Sequence, residues 1–377
     1  MKIAILTTGR FHVCDLAREL DALGHAVAFY SLVPPWRTRQ FGLPGRCNRW
    51  LAPLVAPVLL TQRAAARTRW AETADHALAA ALDFCASKVI ERCDVLIGMS
   101  GLASATAAAA RRRFGARIFI ERGSRHILSQ REILQALPRR PGSKPPVPEW
   151  AVRRELTDYD LADTVVVPSR HVVESFLERG FPQTRLFRNP YGVSLSMFPA
   201  TRAPTGIGPT FIMTGAWSLR KGCDLLVEAW RQLPFESSLV HVGPVLDVPL
   251  PAEKRFTHVP AVDQSRLTKA YSSAHVFALA SHEEGLSLVL PQALASGLHL
   301  VCTDRTGGAD VAELTGCQSS VTVCPSGDVE RLRQGMARAT EKAVALSGLR
   351  DLLGPARAAL SWESYGKRYD QALRERA

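Results

Sequence analysis

Apolar positions along this chain come in short runs, separated by stretches whose hydrophobic spacing is helical. Residues 2–8 (KIAILTT) form a compact apolar, β-branched run ending at Gly9. Val13, Leu16, Ala17, Leu20 and Leu23 then mark one helix face, and Gly24 supplies a stop. Ala26 to Tyr30 reads as a second strand, so the opening predicts a parallel βαβ unit. Further buried strands are expected at 95–98, 117–120 and 164–167. Periodicity then fails through Pro199, Pro204, Gly206, Gly208 and Pro209, the best place for a linker. A second series follows at 210–213, 238–242, 275–279 and 298–301.

The pattern therefore predicts an α/β protein of two Rossmann-like domains, each with a parallel sheet. The expected divisions are an N-terminal domain over 1–198, a linker over 199–209 and a C-terminal domain over 210–356. Open parallel sheets bind ligands beyond the carboxyl ends of their strands, here in a cleft between the two domains. The length of 377 residues suits two cores better than one.

Composition changes this picture little. Hydrophobic residues make up 46% and charged residues 22%, ordinary for a globular α/β chain. No apolar stretch is long enough to span a bilayer, and the N-terminus reads as a strand rather than a signal peptide. A cytoplasmic location is the expectation. Eight scattered cysteines with no C-x-x-C pair point to free, buried thiols rather than a zinc site or disulfide framework. The net charge of +12 favours anionic partners without choosing among them.

Two loops carry chemistry. In TGAWSLRKG (214–222), Arg220 and Lys221 stand just before a helix, where free amides and the helix dipole reinforce an anion site. The alternative is a pair of solvated loop cations. In SHEEGLSLVLPQALASG (281–297), a strand delivers Glu284 to a sheet edge, Gly285 permits close backbone approach, and a helix follows. Glu284 can accept hydrogen bonds from sugar hydroxyls; its alternative is a helix-dipole partner. Pro291 fits only in the first turn of that helix.

Together these loops resemble the donor side of the retaining GT-B glycosyltransferases of family 4, the glycosyl transferases group 1, as in bacterial polysaccharide assembly. The family's E-x7-E element has the form EGLxLVxxEAxAxG. The resemblance extends to GRFHVCDLAREL (9–20), ERGSRHILSQREIL (121–134), ELTDYDLADTVVVPSRHVVESF (155–176), YGVSLSMF (191–198) and SWESYGKRYDQAL (361–373). It implies the GT-B fold, with two parallel sheets facing a central cleft, and a C-terminal helix over 357–377 crossing back to the first domain. It also implies transfer of a sugar, with retention, from a UDP- or GDP-sugar to a growing glycan, with no metal or other cofactor; the basic patch within 46–70 makes a lipid-linked acceptor at the membrane face the expectation.

By the same resemblance, Lys221 with Arg220 neutralises the donor pyrophosphate and Glu284 holds the donor sugar. Gly9, Gly285 and Leu286 lie by the donor phosphates, Gly215 is also on the donor-binding side, and Gln292 meets the nucleotide ribose. The loop with Arg122 and Ser124 lines the acceptor side. Read from the residues alone, His126 sits in the same loop, and His12, just past the first turn, is either a phosphate or acceptor contact or simply a helix-start residue. Two departures stand out. Ala216 occupies a position where the family usually has arginine, and Gln292 replaces the second carboxylate of E-x7-E.

Other features are weaker. Asp158-Tyr159-Asp160 has the spacing of a D-x-D metal motif but falls in a helical segment, where surface carboxylates are expected. A dehydrogenase would need G-x-G-x-x-G after the first strand, whereas only Gly9 is present. No aromatic RNA-binding motif appears, so nucleic acid is not an expected partner. A non-catalytic binding protein of the same fold remains the alternative. Finally, the apolar run 50–60, bracketed within 46–70 by Arg46, Arg49, Arg63, Arg67 and Arg69, suits contact with an anionic membrane surface. The alternative is a helix pair buried against the N-terminal sheet.

Overall fold

The computed structural model describes residues 1–138, 146–205 and 208–376. Part of the expected linker, including Gly206, lies outside the described residues. The chain opens with β1 (Lys2–Leu6), α1 (Phe11–Ala22), β2 (Ala26–Ser31), α2 (Pro35–Arg39), β3 (Asn48–Trp50), α3 (Ala56–Ala65) and α4 (Ala71–Val89). It continues with β4 (Val95–Met99), α5 (Ser104–Phe114), β5 (Arg117–Glu121), α6 (Ile127–Ala136), α7 (Glu149–Leu161), β6 (Thr164–Val167), α8 (Arg170–Leu177) and β7 (Leu186–Arg188). The second half comprises β8 (Thr210–Thr214), α9 (Cys223–Arg231), β9 (Ser238–Val242), β10 (Phe256–Val259), α10 (Gln264–Ser272) and β11 (Val276–Leu279). Then come α11 (Val289–Ala295), β12 (His299–Thr303), α12 (Gly308–Thr315), β13 (Val321–Cys324), α13 (Val329–Val344) and α14 (Trp362–Arg376).

Both sheets are parallel throughout, in the orders β3-β2-β1-β4-β5-β6-β7 and β10-β9-β8-β11-β12-β13. Each order reverses beside its first strand, so the ligand crevices fall where β1 meets β4 and where β8 meets β11. The loops leaving β1, β8 and β11 are those carrying Gly9, Gly215 and Glu284. Topology alone thus directs the sequence-selected loops towards one cleft.

The domains are tied by two crossings. Residues 201–203 lie against the second domain, with Thr201 N donating to Ser296 O at 3.2 Å and Arg350 N to Thr201 O at 2.8 Å. The return crossing leads into α14, which packs on α1. There the absence of a side chain at Gly366 is required, since a Cβ would stand 2.5 Å from that of Glu19. His25 Nε2 pairs with Asp370 at 2.7 Å, and Tyr365 and Tyr369 are fully buried. The crossings touch each other where Val193 N donates to Leu360 O at 2.7 Å.

Two expectations need correction. Asp158 is not a surface carboxylate. It is fully buried and accepts from the amides of Leu102 and Ala103 and from Ser104 Oγ, stabilising the start of α5. Desolvation pushes its pKa up to about 6. The alternative of a buried helix pair at 50–60 also needs trimming: Leu51 and Val55 are buried, but α3 has no buried residue. The cysteines are all free, with Cys85 and Cys317 half-buried and the other six buried. Among the described residues no helix is long and apolar enough to cross a membrane.

Candidate functional site

The loop after β8 is shaped before it is charged. Trp217 is buried and donates its ring N–H to Pro249 O at 3.2 Å, while Leu219 N donates to Asp247 Oδ1 at 2.8 Å. Gly222 turns the chain into α9 with φ +63°, and any Cβ there would fall 2.0 Å from Ala280 O. That close approach brings the two signature loops side by side, and His282 N donates to Arg220 O at 2.9 Å. Gly215, at φ +120°, has its carbonyl held by His241 Nε2 at 2.9 Å.

This packing juxtaposes the charges. Lys221 Nζ forms a tight ion pair with the Glu284 carboxylate, and Arg220 Nη1 stands 3.5 Å from the same group. Lys221 and Glu284 are nearly buried, whereas Arg220 is open to the cleft. Ser281 Oγ is 3.4 Å from Glu284. Pro291 does lie in the first turn of α11, where its missing N–H costs little.

The N-terminal domain closes over this cluster. Gly285 presses so near the 123–124 backbone that a Cβ would stand 2.0 Å from Gly123 O. Ser169 Oγ donates to Gly285 O at 2.8 Å, and His171 Nε2 lies 3.1 Å from Glu284 O. Arg170 and Arg188 bind Asp310 and Glu313 across the same seam. Leu286 is buried beneath Gly307, where a Cβ would meet its side chain at 2.8 Å.

Glu283 escaped the sequence reading. It is completely buried and accepts from Ser124 Oγ, from Gln130 Nε2 at 3.2 Å and from Arg220 Nη1 at 3.4 Å. The doubled acidic pair before Gly285 was the available signal, but two of its partners, Ser124 and Gln130, lie more than 150 residues away. Ser169 and His171 escaped for the same reason.

The predicted acceptor-side residues divide. Ser124 reaches the junction through Glu283. Arg122 is spent internally on Glu155, Gln130 Oε1 and the Arg125 carbonyl. His126 also does not face the cleft: it caps α6 by accepting from Leu128 N and sits in a cage with Tyr159 and Phe176. Burial, aided by Arg122 and Arg179, pushes its pKa down to about 4. His12 is buried at the cleft floor, its Nε2 2.9 Å from Glu121 Oε2 and its ring 4.3 Å from that of Tyr191. Together with Arg10, Phe11, Ser194, Gln264 and Gln292, His12 lines an interdomain cavity of about 420 Å³. Gly9 lies in the turn just before, bonded through its amide to Thr7 Oγ1 at 3.3 Å. Phe11, the first residue of α1, has a rare positive φ of 35° for a side-chain-bearing residue.

Comparison with known proteins bears on the family and the fold. The profile of the family "Glycosyl transferase 4-like domain" matches residues 8–192, and that of "Glycosyl transferases group 1" matches residues 208–342. Sulfoquinovosyl transferase of Arabidopsis thaliana is 31% identical over 179 residues, covering 43% of this chain but only 34% of that protein. Among solved structures, sucrose-phosphate synthase from Thermosynechococcus elongatus superposes with a TM-score of 0.70 at 18% identity, over 100% of this chain and 98% of that one. The Anabaena protein HepE, solved with UDP and glucose, gives 0.63 at 14% identity over 99% of both chains. With a family profile matched on each half, two parallel sheets and the charged loops meeting in the cleft, the chain belongs to the group 1 glycosyltransferases of GT-B fold.

Proposed function

We propose that this chain transfers a sugar, with retention, from a UDP- or GDP-sugar to a glycan acceptor that is lipid-linked at the cytoplasmic membrane face, as in cell-surface polysaccharide assembly. The observation that carries the reading is the Lys221–Glu284 pair, with Arg220 beside it, at the switch point of the second sheet. Two nearly buried charges in contact form a site that a ligand can divide. A donor diphosphate takes Lys221 and Arg220, and the released Glu284 carboxylate accepts from the sugar hydroxyls. HepE, whose structure holds UDP and glucose, supports the same donor class.

In the reaction the bond between the anomeric carbon and the β-phosphate oxygen breaks, leaving negative charge on the diphosphate. Once the bound donor has drawn them from Glu284, Lys221 and Arg220 stabilise that charge, a role for which we propose no metal. The acceptor oxygen attacks from the face the leaving group vacates, and its proton passes to the departing phosphate. This scheme needs no base from His12, because the departing phosphate takes the proton; His12 Nε2 lies 2.9 Å from Glu121 Oε2.

Ala216 and Gln292 favour one other reading, a binding protein of the same fold with no transfer activity. A single variant separates them. Lys221→Ala should lower donor turnover by about 100-fold or more, the usual loss when one charge-stabilising donor is removed. Turnover equal to wild type would remove Lys221 from the site, and absence of turnover in the wild-type protein with every UDP- and GDP-sugar would favour the binding protein.

A further inference from the structure

Between Ala22 and Ala71 the chain contains seven arginines, no lysine and no Asp or Glu, so this stretch supplies +7 of the net +12. The same stretch leaves large apolar side chains in solvent. Leu60 is 63% exposed, Trp36 62%, Trp70 57% and Leu54 54%. They lie on consecutive segments: α2, the turn after β3, α3 and the turn into α4. Trp36 and Trp50 stand edge to face at 5.6 Å, and the Arg69 guanidinium stacks over Trp70 at 4.9 Å. Arg37, Arg39, Arg63 and Arg67 are exposed among them, while Arg46 and Arg49 pair with Asp21 and Glu91.

Isolated exposed leucines are ordinary, but exposed tryptophans and leucines along a stretch with seven arginines and no acidic residue of its own are not. A nucleic acid would use the arginines and stack on the tryptophans, leaving Leu54 and Leu60 unexplained. A headgroup layer uses all three: phosphates meet arginine, indoles sit at the interface, and leucines enter the acyl boundary. The face also joins the cleft. Just beyond α2, Gln40 and Phe41 line the cavity shared by Arg10, His12 and Gln292, and the Arg10 guanidinium lies 3.7 Å over the Phe41 ring.

We infer that the face built from Trp36, Trp50, Leu54, α3 and Trp70 docks on an anionic lipid leaflet and delivers a lipid-anchored acceptor to the cleft past Gln40 and Phe41. The docking stands on the surface itself; the acceptor's passage rests on the sugar-transfer reading. An acceptor held in the leaflet needs to enter only its head, because the binding face and the cavity are joined by residues 36–41.

The test is co-sedimentation of the full chain with phosphatidylcholine vesicles, with and without a one-third share of phosphatidylglycerol. Wild type should bind the anionic vesicles selectively. Leu54→Ser/Leu60→Ser and Arg63→Glu/Arg67→Glu should each lower binding by about tenfold or more, with an unchanged melting temperature showing that they fold. Equal binding to both vesicle types, or either double variant binding like wild type, would overturn the proposal. Loss with the arginine pair alone would indicate a purely electrostatic partner such as nucleic acid. A melting-temperature shift with UDP, read on the same preparation without vesicles, reports the donor site separately. Vesicle binding without any nucleotide shift would leave docking intact and sink the donor reading; the reverse would sink docking alone.

Discussion

Residue by residue, the site is a set of charges that neutralise one another until something larger arrives. Lys221 and Glu284 pair, Arg220 is shared between Glu283 and Glu284, and Glu283 is further held by Ser124 and Gln130. Gln292 breaks the pattern, for it brings an amide to the cavity where the family resemblance places a carboxylate. An amide oxygen accepts a hydroxyl hydrogen bond but lacks charge assistance, which roughly doubles such a bond. Gln292→Glu should therefore tighten nucleoside diphosphate binding by about three- to tenfold, measured by calorimetry. Unchanged or weaker affinity would remove residue 292 from the ribose contact. Glu284 and Lys221 could be singled out as candidates because each lies in a local motif. Glu283 could not, because its identity as a junction residue depends on Ser124 and Gln130, which folding alone brings to it.

Among the elements, legibility followed length and burial. Strands β1, β4, β5, β6, β8, β9 and β11 are short apolar runs buried on both faces, and continuous hydrophobicity announces them. The three-residue strands β3 and β7 are too short for any period to register, and they form only because an edge is present to extend. Helix α7 concealed the buried duty of Asp158, since its polar sequence reads as a solvated face. The turn into α9 offers a test at this scale. Gly222 and Gly316 share a left-handed φ, but a Cβ at Gly316 meets nothing within 4 Å, whereas one at Gly222 strikes Ala280 O. Gly316→Ala should cost about 1–2 kcal/mol by backbone strain alone. Gly222→Ala should cost distinctly more in denaturant melts and should also weaken nucleotide binding, because it pushes the two signature loops apart. Equal losses would mean that the loops tolerate separation.

For the whole molecule, burial of neutral histidines sets a pH dependence. His126 and His299 both have pKa values pushed down to about 4 by burial, with nearby cations adding to the effect, and burial shifts His171, His241, His275 and His282 in the same direction. The unfolded chain takes up protons near the ordinary value of about 6.5 while the folded chain does not, so stability falls as pH drops from 6.5 towards 4. Asp158 acts oppositely: its raised pKa makes the folded state bind a proton first, returning some stability below about 6. With more histidines than raised carboxylates in this set, urea unfolding should show lower stability at pH 5 than at pH 7. His126→Gln/His299→Gln should flatten that slope, and a slope unaffected by the substitutions would assign it elsewhere.

The two interdomain crossings carry a consequence for motion. Because Val193 is bonded to Leu360 where the chain passes out and back, the crossings form one axle rather than two independent tethers. A swing about that axle is expected to part the Gly285–Gly123 contact and the Arg188–Asp310 seam together. Entry of a donor and exit of its spent nucleotide would then follow the same arc in opposite directions, timed by one shared gate.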